Sequence, residues 1–222
     1  GLTGLTVDLA KVPSEGGEPI VLTADFDENP SPQAWLEDGI RFIAYQGAQR
    51  NLVRLDPEGG TVEAVRSEPR FIWSVDYARD GRAVAISAES PDVLDEVYRG
   101  PSESSPLERV TRMTEATADW KVGTREMIQW ESRDGATIEG VLLRPEGFDP
   151  AKKHPLLVVI HGGPTGISRP TRVYGYVYPI QQWLSQGAVV LMPNYRGSAG
   201  YGEGFRGLNL RNLGVGDAWD VL

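Results

Sequence analysis

The run PLLVVI at residues 155–160 is apolar throughout and does not alternate. Such a run suits a strand covered on both faces, as in an α/β sheet. A second run, AVVLM at 188–192, follows PIQQWLSQ at 179–186, which has helix character and Gly187 at its C-terminal cap position. A last helical stretch begins near Gly214. Strand, helix, strand, helix in that order predicts parallel pairing and an α/β layer. Just upstream, Met127–Ser132 and Thr137–Arg144 flank the turn Arg133-Asp134-Gly135 and predict an antiparallel hairpin.

Residues 1 to about 120 follow another pattern. Turn residues separate short alternating runs: Gly39–Gln46, Asn51–Asp56, Thr61–Val65, Ile72–Ala78 and Arg82–Ala88. In Ile72–Ala78, Trp73, Val75 and Tyr77 share one face and Ser74 and Asp76 the other, the mark of a half-buried strand. Arg79-Asp80-Gly81 signals a tight turn. No amphipathic helix of useful length occurs here. Val21-Leu22-Thr23, Ala64-Val65-Arg66 and Arg109-Val110-Thr111 each close a strand group, at intervals of 43 and 45 residues. Trp35 and Trp73 each precede an Asp-Gly turn, at Asp38-Gly39 and Asp80-Gly81. About 40–45 residues and four strands per unit describe a β-propeller blade. Residues 1–23 then read as the tail of one blade, and about 33–66 and 70–111 as two more. That number of blades cannot close a ring, which takes roughly 4–8. A β-sandwich, also built of regular short strands, is the alternative.

Ligands of open α/β sheets bind at the strand-end loops. Two are present, His161–Gly166 and Asn194–Gly204. Gly162 and Gly163 let the first loop point its amides into a cavity, where they can stabilise a tetrahedral oxyanion in acyl transfer. The same glycines also suit a plain tight turn that needs positive φ. His161 has no Asp or Glu nearby in sequence to orient it as a general base, and is read as shaping the loop. Arg196, with Asp217 and Asp220 in the last helical stretch, suggests an ion pair that pins the second loop structurally. Glu89, Asp92, Asp95 and Glu96 could bind an amine but read better as a solvated loop.

Several function classes are disfavoured. A net charge of -9 with no basic run argues against a nucleic-acid partner. The chain has no cysteine, so disulfides and thiolate metal sites are excluded. Its two histidines, His154 and His161, lack a carboxylate cluster, so no metal and no cofactor are expected. Gly202, Gly204 and Gly207 match G-x-G-x-x-G formally, but the strand ends near Asn194, too early for a dinucleotide turn. No apolar stretch approaches the ~20 residues of a membrane span. The start lacks the regions of a signal peptide and also lacks Met, so a trimmed start and a cytoplasmic location are expected.

Taken in succession, HGGP at 161–164, QQWLSQGAVVLMPNYRGSAGYGEGF at 181–205 and LGVGDAWDVL at 213–222 resemble the prolyl oligopeptidase family of serine peptidases, in its acylaminoacyl-peptidase and dipeptidyl-peptidase-like branches. The resemblance implies partial β-propeller blades over 1–120, followed by the N-terminal part of an α/β-hydrolase domain over 121–222. It implies hydrolysis of short peptides by a Ser-Asp-His triad. Gly163 would donate one oxyanion amide, and Asn194, Tyr195, Arg196 and Gly197 match the loop bordering the site. His161 falls where some branches place a tyrosine, which points to a backbone-amide oxyanion hole. No G-x-S-x-G occurs in the chain, so nucleophile, Asp and His are all expected elsewhere. The chain is therefore expected to be an internal piece of a longer enzyme, inactive alone, with the catalytic remainder as its partner. Open edge strands would invite oligomers. An esterase of the same fold, and a propeller binding module with a degenerate hydrolase half, are the other readings.

Overall fold

The computed structural model of the chain describes residues 6–58, 62–174 and 178–222. Two compact units emerge. The first comprises residues 1–89, 95–112 and 200–203, and the second residues 90–94, 113–199 and 204–222.

In the first unit β1 (Ala10–Lys11) and β2 (Ile20–Val21) pair antiparallel. Next, β3 (Ser31–Leu36), β4 (Gly39–Tyr45), β5 (Arg50–Leu55) and β6 (Val62–Arg66) form an antiparallel meander. A second set follows: β7 (Phe71–Tyr77), β8 (Val84–Ser90), β9 (Val93–Gly100) and β10 (Glu108–Arg109). One parallel bridge, Arg50 to Phe71, links the sets. The expected strands are present within a residue or two, except that Thr61 lies outside the described residues, as do residues 1–5.

Two expectations need correction. The alternation expected of Gly39–Gln46 does not hold in β4, because a core lies on each side of it. Ile43 packs with Leu52, Ile72 and Ile86 on one side, while Phe42 and Ala44 pack with Val53 and Leu55 on the other. Burial of such side chains stabilises by roughly 1.5–3 kcal/mol each. The acidic stretch 89–96 is not a solvated loop. Of its four acidic residues only Asp92 sits in the turn; Glu89 lies within β8, and Glu96 lies on β9, buried, accepting from Thr111 Oγ1 at 2.5 Å. The pattern expected for Ile72–Ala78 does hold, with Val75 buried and Ser74 and Asp76 exposed.

The second unit holds a four-stranded sheet in the order β11-β12-β14-β13. β11 (Thr124–Glu131) and β12 (Thr137–Arg144) form the expected hairpin, with Gly135 at φ 86° in its turn. β13 (Leu156–Val158) and β14 (Val189–Asn194) are parallel, connected through α1 (Ile180–Ser185), after which Gly187 takes φ 87°. Two more short helices follow, α2 (Gly202–Gly207) and α3 (Gly216–Val221). Gly202, Gly204 and Gly207 thus lie within a helix. Val141, Leu143, Val159, Ile180, Leu184 and Val190 make the core. The run 156–160 is covered on one face only: Leu157 and Val159 pack inward while Leu156 and Ile160 are exposed, which corrects the two-faced burial expected of it.

Candidate functional site

The first loop leaves β13 and turns at once. Gly163 has φ 134°, and a Cβ there would lie 2.5 Å from Thr165 N and 2.6 Å from Gly166 N. No side chain fits, so this tight turn requires glycine. Gly162 and Gly163 are both exposed. The second loop leaves β14 beside it, and Ala199 N donates to Gly166 O at 3.1 Å.

His161 and Tyr195 clamp the two loops together. Their rings stack at 4.6 Å, and Tyr195 Oη donates to His161 O at 2.7 Å. Burial holds the His161 imidazole below its usual pKa and raises that of the Tyr195 phenol. His161 Nε2 lies 3.0 Å from Ser198 Oγ. This is not a nucleophile and its base. Ser198 is fully buried, and its one hydroxyl proton goes to Tyr195 O at 2.6 Å. The imidazole therefore donates to Ser198 rather than taking its proton.

The remaining residues of the second loop turn inward. Asn194 is buried and pins the backbone of Ser168, accepting from its N–H at 2.6 Å and donating to its carbonyl at 3.0 Å. Arg196 is 1% exposed. It makes close ion pairs with Asp220 (2.7 Å) and Asp134 (2.8 Å), and its own N–H also donates to Asp220. Trp130 and Ser132 of the hairpin reach Asp220 as well, through its carbonyl and carboxylate respectively. The expected Arg196–Asp220 pair is therefore present. Asp217 is not its partner but lines a neighbouring cleft. The Arg196 guanidinium holds the Asp134 carboxyl well below the usual range, at about 2. Gly197, at φ 96°, lies against Asn209 and Pro164, leaving no room for a Cβ.

Of the expected site residues, the structure brings His161, Gly162, Gly163 and Tyr195 to one corner, with Gly197 behind them. The side chains of Asn194 and Arg196 are committed to holding the loop. Sequence reasoning missed Asp134, which the Asp-Gly turn already accounted for, and the contact between Ser198 and His161. Beside the corner lies an apolar cleft of about 350 Å³ lined by Ile160, Tyr195, Gly214, Asp217, Ala218, Val221 and Leu222. Ser198 spends its hydroxyl proton on Tyr195 O, and Asp220 is buried against Arg196. What remains beside the apolar cleft is the exposed Gly162-Gly163 turn, with His161 and Tyr195 against it. No group of three or more His, Asp or Glu among the described residues is placed to hold a metal, and no described helix is long and apolar enough to cross a membrane.

Comparison with known proteins adds context. Residues 176–222 match the model of the prolyl oligopeptidase family. The chain is 28% identical over 165 residues to an uncharacterized peptidase, YuxL, of Bacillus subtilis, covering 73% of this chain and 24% of that protein. It is 24% identical over 209 residues to a probable dipeptidyl-peptidase 5 of Aspergillus niger, covering 90% and 28%. It thus spans about a quarter of the length of these relatives. In fold it is similar to the acylaminoacyl peptidase of Pyrococcus horikoshii, with TM-score 0.73, 23% identity, and coverage of 92% of this chain and 31% of that one. A puromycin-hydrolyzing peptidase of Mycobacterium tuberculosis is similar at TM-score 0.70, 23% identity, 96% and 34% coverage.

Proposed function

We propose, from the match of residues 176–222 to the prolyl oligopeptidase family, that the chain belongs to that family and that the full-length protein is a serine peptidase hydrolysing short peptides, of dipeptidyl or acylaminoacyl type, through an acyl-enzyme. The observation that carries this reading is the corner at the ends of β13 and β14. There an exposed Gly-Gly turn is locked against Tyr195 and His161 beside an apolar cleft. Gly163 N–H is the oxyanion donor, and His161 and Tyr195 hold it in place.

The nucleophile and its Asp and His partners lie outside residues 1–222. Two observations support this: the sequence has no G-x-S-x-G, and Ser198 faces inward. Residues 1–222 alone are then inactive. The two four-stranded sets are blades of a propeller, with residues 121–222 as the first part of the hydrolase domain. The open edge of β13 and the cleft beside Ile160 receive the next strand of that sheet.

The test uses the full-length protein with a fluorophosphonate probe, dipeptidyl and acylaminoacyl amides, and simple esters. Serine labelling together with amide hydrolysis is expected. Cleavage of esters with refusal of every amide would overturn the peptidase reading in favour of an esterase. Absence of labelling would overturn acyl-enzyme chemistry altogether.

A further inference from the structure

Asp-Gly occurs three times in the chain, at 38–39, 80–81 and 134–135, each time at a hairpin turn. The pair has a chemistry of its own. The glycine nitrogen can attack the aspartate Cγ and close a five-membered succinimide, and glycine has no Cβ to obstruct the approach. The carboxyl must be free to turn towards that nitrogen. It must also be neutral, because its OH is the leaving group. An arginine opposes both conditions, since its hydrogen bonds fix the carboxylate and favour the ionised form.

Two of the three aspartates are held in this way. Asp38 accepts from Arg41 Nη2 at 3.0 and 2.8 Å, one bond to each oxygen, and Arg41 is 4% exposed. Asp134 accepts from Arg196 Nη1 at 2.8 Å and from Nη2 at 2.9 Å, again one bond to each oxygen. Both carboxyls sit below their usual pKa, first because of these hydrogen bonds. At about 2 instead of 3.8, Asp134 is neutral roughly 60-fold less often at neutral pH. Asp80 differs. Residues 78–83 are exposed throughout. Among the described residues no cation pairs with Asp80, whose carboxylate accepts one hydrogen bond, from the Arg82 N–H at 3.1 Å. Gly81 has φ 68°, with nothing within 4 Å of where a Cβ would stand.

We propose that Asp80-Gly81 is a site of spontaneous backbone isomerisation, the one Asp-Gly pair of the three that converts to isoaspartate while the protein is folded. The Gly81 N–H first leaves Ala78 O, which it reaches at 2.9 Å in this exposed turn. Gly81 N then bonds to Asp80 Cγ, and the amide proton and the carboxyl OH leave as water. Water adds back at either carbonyl of the ring. Opening at Cγ restores aspartate. Opening at the main-chain carbonyl leaves Asp80 joined to Gly81 through its side chain, with the former main-chain carbonyl now a carboxylate. The connection between β7 and β8 thereby gains one methylene. The hairpin itself is closed below that point by the pairing of Tyr77 with Val84 and by Ala78 N donating to Ala83 O at 2.9 Å. The proposal does not depend on the hydrolytic reading.

The test ages full-length protein at neutral pH, folded and in urea, and reads its peptides by electron-transfer mass spectrometry, which separates isoaspartate from aspartate. In the folded protein isoaspartate at 80 should build up about ten-fold or more faster than at 134, and several-fold faster than at 38. In urea the arginine contacts are gone, and the three positions should react at similar rates. Gly81→Ala should suppress the product at 80 and leave the other two positions unchanged, with circular dichroism checking the fold. Equal rates at the three positions in the folded protein, a lead at 38 or 134, or no isoaspartate at 80 overturns the proposal. A lead of position 80 that persists unchanged in urea also overturns it, because the cause would then be local sequence and not the arginine contacts.

Discussion

Asp220 collects hydrogen bonds from Ser132 Oγ, from the Arg196 amide and from the Arg196 guanidinium, all out of contact with solvent. Removing one member of a buried ion pair strands the other. Asp220→Ala should therefore cost about 3–5 kcal/mol in urea unfolding. Asp134 plays a different part, as the outer and partly exposed carboxylate of the same arginine. Its pKa is depressed from 3.8 to about 2, first by the Arg196 hydrogen bond. Its contribution is thus fully present above pH 3.8 and lost as pH falls toward 2. Asp134→Asn should flatten the acid limb of stability in that window, lowering the urea midpoint at pH 7 and changing little near pH 2, as urea midpoints across pH would show. At Gly163, an alanine Cβ would strike the loop's own backbone. Gly163→Ala should lower kcat of the full-length protein by about 100-fold, with a smaller change in KM. The Arg196–Asp220 pair was legible in the sequence, because a lone arginine in a loop invites the nearest carboxylates. The choice between Asp217 and Asp220 was not, because it depends on the rotation of α3. Asp134 stayed hidden because its turn chemistry explained it already.

Among the elements, the strands of the first unit were legible from alternation and Asp-Gly turns. β4 was misjudged because a run such as GIRFIAY carries small and large apolar residues on both faces, and only the neighbouring strands decide whether both are covered. β9 was missed for a related reason. Its acidic residues suggest solvent, yet Glu96 is buried against Thr111. The start of α2 depends on a remote segment, which no local pattern announces. Glu28 Oε1 accepts from Gly200 N at 2.7 Å and Gly202 N at 2.9 Å, and Asp27 accepts from Glu203 N at 2.7 Å. These carboxylates satisfy amides that a helix start leaves unpaired. Glu28→Ala should cost about 2 kcal/mol, because buried N–H groups lose their acceptor. Faster proteolytic nicking within 200–203 would accompany the lower urea midpoint.

At the scale of the whole molecule, the strand-helix-strand order and the two repeated sets could be read from sequence. The incomplete cover of β13 could not, since it depends on what lies over Leu156 and Ile160. Those two exposed side chains flank an edge strand, a template for pairing with another chain. Residues 1–222 expressed alone should self-associate at micromolar concentration, and Leu156→Lys should disperse them, as light scattering would report.

The make-up of the two units has a consequence for anyone cloning them. Residues 90–94 belong with the second unit and residues 200–203 with the first. A gene cut between codons 112 and 113 therefore encodes two polypeptides, neither of which contains all of either unit. The amino-terminal product would keep Asp27 and Glu28 but lose the amides they hold. Expression boundaries for this protein follow from which residues pack together, and no single junction in the reading frame separates them.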